Sequence, residues 1–340
     1  IGPFASDQDD LEGCWTVYGN KHRAISVETG LRDALSDPSS LTVVQGCDIE
    51  APIEAGIEEA VAVAEKSDVV LLAIGEPAVY SGESQSRTQI VIPDAQQALA
   101  DAVAATGTPV VILLRTGRAL ALAGAVRDAQ AILVTWFLGT QTGSAVSDVL
   151  FGDYNPSGRL PVSFPMDPGQ QPFFYNQPRT GRPQGDGPRT FKASWREVPN
   201  KALYPFGHGL SYTDFNFGVV ELSTDELCWD QSLEIKAKIS NVGNRSGETV
   251  AQLYIHDQVA TRVRPVRELK GFQKLLLEPG ETKTVSFTLR RDDLAFHGAD
   301  AKLRAEPGNF SIWVAPSCVS GEAATVKLLA SPQTHAAAGC

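Results

Sequence analysis

Two glutamates follow a buried-strand pattern early in the chain. Residues 69–74, VVLLAI, form an apolar run whose length and composition are typical of a strand buried on both faces of a parallel sheet. The run ends at Gly75, and the polar loop that follows contains Glu76 and Glu83. Ligands of open α/β sheets bind at the carboxyl ends of the strands, so this loop is where a carboxylate can meet a substrate.

Glu83 is the better of the two candidates for proton transfer. Its small neighbours Ser81, Gly82 and Ser84 leave its side chain free to be presented rather than packed away. Glu76 directly ends the strand and is expected to be structural, capping or orienting the loop. The loop taken alone also fits two solvated glutamates without a function, and that alternative stays open at this level.

Composition narrows the function classes. The 340 residues include 43% apolar and 20% charged residues, which is ordinary for a soluble globular protein of about two domains. A net charge of −11 argues against nucleic acid and anionic membranes as partners. No apolar run approaches the roughly 20 residues that span a bilayer. We find no Gly-rich phosphate loop and no cofactor motif.

The five cysteines indicate neither a disulfide framework nor a zinc site. They are scattered, odd in number and without a CxxC pair, at positions 14, 47, 228, 318 and 340. One disulfide remains possible. The five histidines show no ligand spacing, so we expect neither a metal nor a cofactor.

The first 160 residues alternate strand-like and helix-like segments. This alternation predicts an open α/β sandwich with a mostly parallel sheet, within a domain at 1–215. The pattern favours strands at 41–44, 69–74, 109–114 and 131–136, and helices at 53–66, 94–105, 120–128 and 143–150.

The character of the sequence changes twice after this region. Residues 153–205 are a Pro-rich excursion with interspersed aromatic residues, which we expect to anchor it by packing. Residues 216–331 alternate apolar and polar residues between turn signals, as in 233–239, and predict an all-β fibronectin type III-like sandwich. Residues 332–340 are predicted to be a disordered tail.

Several long motifs, in order, resemble the family 3 glycoside hydrolases, and more narrowly the bacterial β-glucosidase branch. The resemblance covers residues 1 to about 330. The motifs are IGPFA (1–5), DVVLLAIGE (68–76), SGESQSR (81–87), GTPVVILLRTGRAL (107–120), FGDYNPSGRLPVSFP (151–165), YPFGHGLSYTDF (204–215) and RPVRELKGFQK (264–274).

The resemblance implies a divided catalytic apparatus. In that family an N-terminal (β/α)₈ barrel carries an aspartate nucleophile, and the sandwich domain that follows supplies the acid/base glutamate. Glu83 matches the position of that glutamate. This chain resembles only the parts after the barrel, so the barrel would lie in the same protein or on another chain. Retaining hydrolysis requires two carboxyl groups roughly 5–5.5 Å apart, and only one is expected here.

Trp15 and Arg87 are the candidate substrate-binding residues. The resemblance places a stacking tryptophan in the loop after the first strand, and sugar C–H faces stack on aromatic rings. Trp15 matches that position, the alternative being ordinary packing. Arg87 could pair with Glu76 or with Glu83, or be a surface charge. Gly117-Arg118 resembles a Gly-Arg-Pro element with Ala119 in place of proline, and we interpret it as architecture.

The sequence therefore predicts the C-terminal portion of a retaining, exo-acting β-glucosidase that removes terminal β-linked glucose from oligosaccharides or glycosides. A β-xylosidase or α-arabinofuranosidase of the same family is the alternative within the class. A catalytically silent carbohydrate-binding or structural fragment is the alternative outside it. A homo-oligomer is possible. The resemblance favours a periplasmic or secreted protein, whereas the unpaired-looking cysteines would suit the cytoplasm.

Overall fold

The described residues form two compact units. The structure, a computed structural model, describes residues 1–183 and 190–331. One unit contains residues 1–154 and 164–171, and the other contains 155–163 and the described residues from 172 onward. The domain boundary predicted after residue 215 stays a prediction, and the predicted tail at 332–340 lies outside the described residues.

The first unit is built on a parallel sheet. Its strands are β1 (Val70–Gly75), β2 (Val110–Arg115) and β3 (Ala131–Val134), in the spatial order β1-β2-β3. The apolar residues of β1 and β2 are almost completely buried. Both faces of this sheet are covered, so its strands do not alternate between buried and exposed residues. The helices are α1 (Val27–Ala34), α2 (Gly56–Ala64), α3 (Asp94–Ala104), α4 (Gly124–Arg127) and α5 (Thr142–Phe151).

The structure corrects the predicted order of elements in two places. The strand predicted at 41–44 does not form, because the beginning of the chain occupies the position beside β1. There the Ile1 carbonyl accepts from the Ala73 N–H at 2.8 Å, and the Phe4 N–H donates to Ala73 O at 3.3 Å. From the predicted strand, the Val44 carbonyl accepts a hydrogen bond from the Gly2 N–H at 3.2 Å.

The second correction is α1, which sequence analysis missed. The Ser26 side chain caps this helix by accepting from the Thr29 N–H at 3.1 Å. The helix packs closely on α5, where a Cβ at Gly30 would lie 2.2 Å from the carbonyl carbon of Gly143. The helix has only eight residues, fewer than the window of roughly 11–18 residues over which periodicity indicates a helix, which explains why sequence analysis missed it.

The end of β1 is held tightly. Gly75 has a φ of 134°, and a Cβ there would collide with the Arg115 carbonyl. The buried amide of Gln96 on α3 accepts from the Gly75 N–H at 2.7 Å and donates to the Gly75 carbonyl at 3.0 Å. The point where the glutamate-bearing loop leaves the sheet is therefore held by β2 on one side and by α3 on the other.

The second unit is a largely antiparallel sandwich. Its strands are β4 (Phe215–Phe217), β5 (Glu221–Leu222), β6 (Glu226–Leu227), β7 (Ser232–Asn241), β8 (Gly247–Asp257), β9 (Glu268–Leu277), β10 (Thr282–Arg290), β11 (Phe296–His297), β12 (Leu303–Arg304), β13 (Gly308–Ala315) and β14 (Ala324–Leu328). One sheet has the order β10-β7-β4 with β5 also on β7, and the other has the order β6-β14-β13-β8-β9, in which only β6 and β14 pair in parallel. Alternate residues of β7 point into a shared apolar core, as its period-two pattern predicts.

The Pro-rich excursion is anchored by some of its aromatic residues and not by others. Phe164 is completely buried, and the Tyr175 ring stacks on Phe206 with 4.1 Å between centroids. Phe174 is 61% exposed, so it is not such an anchor. The excursion residues 184–189 lie outside the described part of the chain.

The predicted fold class is confirmed: an α/β unit with a parallel sheet is followed by an all-β sandwich. Cys14, Cys47, Cys228 and Cys318 are all free thiols, and Cys340 lies beyond the described residues. Within residues 1–183 and 190–331, no helix is long and apolar enough to cross a membrane.

Asp257, at the end of β8, makes the stability of the second unit depend on pH. The side chain is buried, and its burial raises the pKa of the carboxyl to about 6. The Val259 N–H and the charges of Arg264 and His256 oppose that shift, while Glu306 adds to it. The folded state therefore holds a proton that the unfolded chain has released, between about pH 4 and pH 6.

We predict that this carboxyl lowers the free energy of unfolding as the pH rises through that window, by on the order of 2–3 kcal/mol in total. Asp257→Asn should remove this component. The measurement is denaturant unfolding from pH 3.5 to 8, with the exposed Asp225→Asn as control. If the difference between wild type and Asp257→Asn is the same at every pH, the carboxyl does not titrate in this way.

Candidate active site

The loop that leaves β1 forms one wall of an open pocket. The pocket has a volume of about 640 Å³ and lies within the first unit, between residues 9–21 and residues 78–85. Glu83 and Trp15 both line it. The structure thus brings together the proposed proton donor and the proposed sugar platform, which are far apart in sequence.

Glu83 is exposed at the tip of its loop. The backbone on each side of it is left-handed, with φ of 104° at Gly82 and 64° at Ser84. Such a conformation is unfavourable for serine and persists only where the surroundings hold it. Gly82 lies against the opposite wall, where a Cβ would be 3.0 Å from the Cys14 sulfur. The loop is therefore folded back with its carboxylate directed away from the protein interior.

Trp15 is 69% exposed, in agreement with a position on a rim rather than in a core. Its Cε2 would lie 3.7 Å from a Cβ at Gly82, so the indole is beside the loop that carries Glu83. A flat apolar surface next to an exposed carboxyl group can hold a sugar ring while a proton moves to its glycosidic oxygen.

Glu76 is different in every respect from Glu83. It is completely buried and accepts hydrogen bonds from three side chains at the carboxyl end of the sheet, two of which are also ion pairs. Arg87 donates to Oε1 at 2.6 Å, whereas the Arg118 Nε and the Thr116 hydroxyl donate to Oε2 at 3.1 and 3.0 Å. Thr116 Oγ1 also lies 2.9 Å from the Arg118 carbonyl, so its single proton is shared between two acceptors.

The structure settles the partner of Arg87, which the sequence left open. Arg87 pairs with Glu76, and its guanidinium also lies over the Tyr80 ring at 4.8 Å. The Tyr80 hydroxyl donates to Glu50 at 2.5 Å, and this bond raises the pKa of the phenol. A role of Arg87 in substrate binding stays a prediction.

Arg118 is the residue whose contribution to the site sequence analysis missed. It reaches the glutamate-bearing loop from the end of β2 and bonds to two of the loop's backbone carbonyls. A signal was present, because Gly117-Arg118 follows a buried strand at the same sheet edge as Glu76. Nothing in the local sequence, however, indicates where a long side chain ends.

The pocket wall formed by residues 9–21 is acidic. Asp9, Asp10 and Glu12 line it together with Lys21, which lies 3.8 Å from Asp9. Among the described residues, no group of three or more histidine, cysteine, aspartate or glutamate side chains is arranged to hold a metal ion. The arrangement supports acid/base chemistry on a neutral ligand.

The chain matches two families of protein domain. Residues 1–212 match the glycosyl hydrolase family 3 C-terminal domain, and residues 249–318 match a fibronectin type III-like domain. The first match covers more than half of the chain and contains every residue of the candidate site.

Curated relatives are glycosidases by name. A periplasmic β-glucosidase of Salmonella typhimurium is 40% identical over 336 residues, which cover 92% of this chain and 44% of the relative. A β-xylosidase of Formosa agariphila is 35% identical, covering 96% of this chain and 45% of the relative. The chain thus spans less than half the length of these relatives.

A solved structure has the same fold. The β-glucosidase of Listeria innocua, in complex with isofagomine, superposes with a TM-score of 0.92 at 36% identity, over 97% of this chain and 46% of that one. The match of residues 1–212, the relatives and this superposition agree with one another. The chain belongs to glycosyl hydrolase family 3, of which it comprises the C-terminal domain and a fibronectin type III-like domain.

Proposed function

We propose that this chain is the C-terminal portion of a retaining, exo-acting β-glucosidase and that Glu83 is its general acid/base. The observation that carries the proposal is the exposed Glu83 at a loop tip beside Trp15, in an open pocket at the carboxyl end of the sheet. The names of the Salmonella and Listeria proteins support a terminal β-linked glucose as the sugar that is released.

The proposed reaction needs a second carboxylate, which we assign to an aspartate of an N-terminal (β/α)₈ barrel. As the aspartate attacks the anomeric carbon, Glu83 gives its proton to the departing glycosidic oxygen. Glu83 then takes a proton from the water that cleaves the glycosyl-aspartate ester. The overall change is hydrolysis, so neither a metal nor a redox partner is required.

The barrel would also complete the environment of Glu83. A general acid needs its proton at the working pH, and enzymes secure it by burial or by a nearby negative charge. Glu83 is solvent-exposed in this chain. We infer that the barrel covers the pocket and supplies both the burial and the negative aspartate.

Two further residues have supporting roles in this proposal. Trp15 holds the leaving-group sugar by stacking, which its exposed ring permits. Arg87 contributes to substrate binding indirectly. Its guanidinium contacts Glu76 and the Tyr80 ring and so supports the loop that carries Glu83.

The second candidate function is β-xylosidase activity, which the Formosa relatives favour. Relative values of kcat/KM for nitrophenyl β-glucoside and β-xyloside, measured on the full-length protein, separate the two. We also propose a periplasmic or secreted location, supported by the name of the Salmonella relative.

We expect the 340-residue chain alone to hydrolyse no aryl β-glucoside at a useful rate. The proposal assigns the second carboxylate of the catalytic pair to a barrel outside these 340 residues, and loss of one such residue lowers rates by several orders of magnitude. Release of nitrophenol by the highly purified chain is the measurement. Turnover within the usual enzyme range of roughly 1–10³ s⁻¹ would show that the chain contains both groups.

We expect Glu83→Ala, in the full-length protein, to slow substrates with poor leaving groups by roughly 10²–10⁴-fold. Dinitrophenyl glucoside should be affected far less in kcat/KM, because its leaving group needs little protonation. Azide should restore turnover by replacing the missing base in the second step. The control is Glu12→Ala, which removes another carboxylate of the same pocket. If Glu12→Ala shows this pattern and Glu83→Ala does not, Glu83 is not the acid/base.

We expect Trp15→Ala to weaken the use of disaccharides about tenfold, because stacking contributes about 0.5–1.5 kcal/mol and 1.4 kcal/mol is a factor of ten. The melting temperature should change little, since an exposed ring leaves no cavity. Trp195→Ala, another partly exposed tryptophan outside the pocket lining, is the control. An early-melting Trp15→Ala with normal disaccharide kinetics would show that the residue serves packing.

A further inference from the structure

One guanidinium group joins both ends of the loop that carries Glu83. Arg118 Nη2 donates to the carbonyl of Tyr80 and to the carbonyl of Gln85, the latter at 3.0 Å. Residues 80–85 therefore form a closed loop whose ends are held together by a side chain from the next strand. Glu83 lies between the two anchored carbonyls.

Arg118 is itself held at a fixed point. Its Nε donates to Glu76 Oε2 at 3.1 Å, and its backbone N–H donates to the Thr116 hydroxyl at 3.1 Å. Glu76 has no exposed surface, and the Arg118 side chain is only 21% exposed. The charge-assisted hydrogen bond to the buried Glu76 carboxylate holds the Arg118 guanidinium in place, because moving it away would separate this ion pair.

Few backbone hydrogen bonds define the loop's shape. The Ser81 N–H donates to the Ala78 carbonyl just before the loop at 3.1 Å, and the Gln85 N–H donates to the Gly82 carbonyl within it at 3.4 Å. Ser84 has a left-handed φ of 64°, which is unfavourable for a residue with a Cβ. Such a conformation needs restraint from outside the loop, and the two Arg118 hydrogen bonds supply it.

We propose that Arg118 is a positioning residue for proton transfer, which sets the location of Glu83 by holding the Tyr80 and Gln85 carbonyls while Glu76 holds the guanidinium. The proposal rests on the proposed acid/base role of Glu83. Proton transfer requires the donor within about 2.6–3.2 Å of the glycosidic oxygen, so a loop that moves by about 1 Å loses much of the catalysis. Arg118 would then act on the step in which the leaving group departs, without touching the substrate.

Arg87 provides an internal comparison. It also donates to Glu76, at 2.6 Å, yet its described contacts are that carboxylate and the Tyr80 ring, and they include no loop carbonyl. Both arginines neutralise Glu76, whereas only Arg118 joins the ends of the loop. Lysine at position 118 would keep the charge, but a single ammonium group cannot reproduce the planar fork that reaches Glu76 and two carbonyls.

The test uses Arg118→Ala and Arg118→Lys in the full-length protein. We expect kcat/KM to fall about 10²-fold for cellobiose and less than about threefold for dinitrophenyl glucoside. Added guanidinium ion should partly restore cellobiose hydrolysis by Arg118→Ala. The matched control is Arg127→Ala, which removes an exposed arginine that is ion-paired with its neighbour Asp128 and does not line the pocket. Its kinetics should equal those of wild type.

The two substrates separate positioning from folding. Loss of folded protein lowers both rates equally, so an equal fall for Arg118→Lys, or no fall, overturns the proposal even if Arg118→Ala does not fold. Glu83→Ala is measured in parallel. If Glu83→Ala lacks the leaving-group dependence, the proposed function itself fails; if it has that dependence and Arg118→Lys does not, only the positioning role of Arg118 is excluded.

Discussion

The buried carboxylate of Glu76 is the interaction on which the candidate site depends. It lies directly after β1 with no exposed surface, and two guanidinium groups and a hydroxyl surround it. A buried carboxyl group is tolerated only when its oxygens have hydrogen-bond partners, so loss of a partner leaves a buried polar atom less well satisfied. These contacts of Glu76 therefore hold the end of β1, from which the loop that carries Glu83 begins.

The remaining features of the site extend from that base. Arg87 links Glu76 to the Tyr80 ring, and Arg118 links it to the loop carbonyls. The backbone then turns through left-handed conformations at Gly82 and Ser84, which direct Glu83 outward. The two glutamates, seven residues apart in the sequence, therefore have opposite environments: Glu76 is buried and paired with two arginines, whereas Glu83 is exposed to the solvent.

The exposure of Glu83 fits the proposed function, in which the catalytic groups are shared between domains. The pocket beside Glu83 is open, and the chain spans less than half the length of its relatives. Under that proposal the Glu83 carboxyl group must meet a carboxylate of another domain at a separation of roughly 5–5.5 Å. The proposed restraint of the loop by Arg118 would then hold Glu83 in place before the two domains meet.

Local sequence indicated most of the elements and the acid/base candidate, although it missed α1 and wrongly predicted a strand at 41–44. The apolar runs of β1 and β2 and the alternation in β7 indicated their strands, because burial on two faces or on one imposes those patterns. Small residues around Glu83, together with the resemblance of the SGESQSR motif, indicated which glutamate is presented to the solvent. The motifs also indicated the family without reference to any contact.

Tertiary structure alone decided what the long side chains do. Parallel pairing of β1 with β2 places Gly75 opposite Arg115, so Glu76 and Thr116 leave the sheet side by side and Arg118 comes within reach of the loop. No local pattern contains that register. The strand expected at 41–44 was wrong for a similar reason, since residues 1–4 occupy the edge of β1 and form the hydrogen bonds with it. The sequence by itself thus determined the main strands and the family, because burial on one face or on two imposes a recognisable apolar pattern. The structure determined how deeply Glu76 is buried and which partners the long side chains have, because a hydrogen bond depends on the register between segments that are distant in the chain.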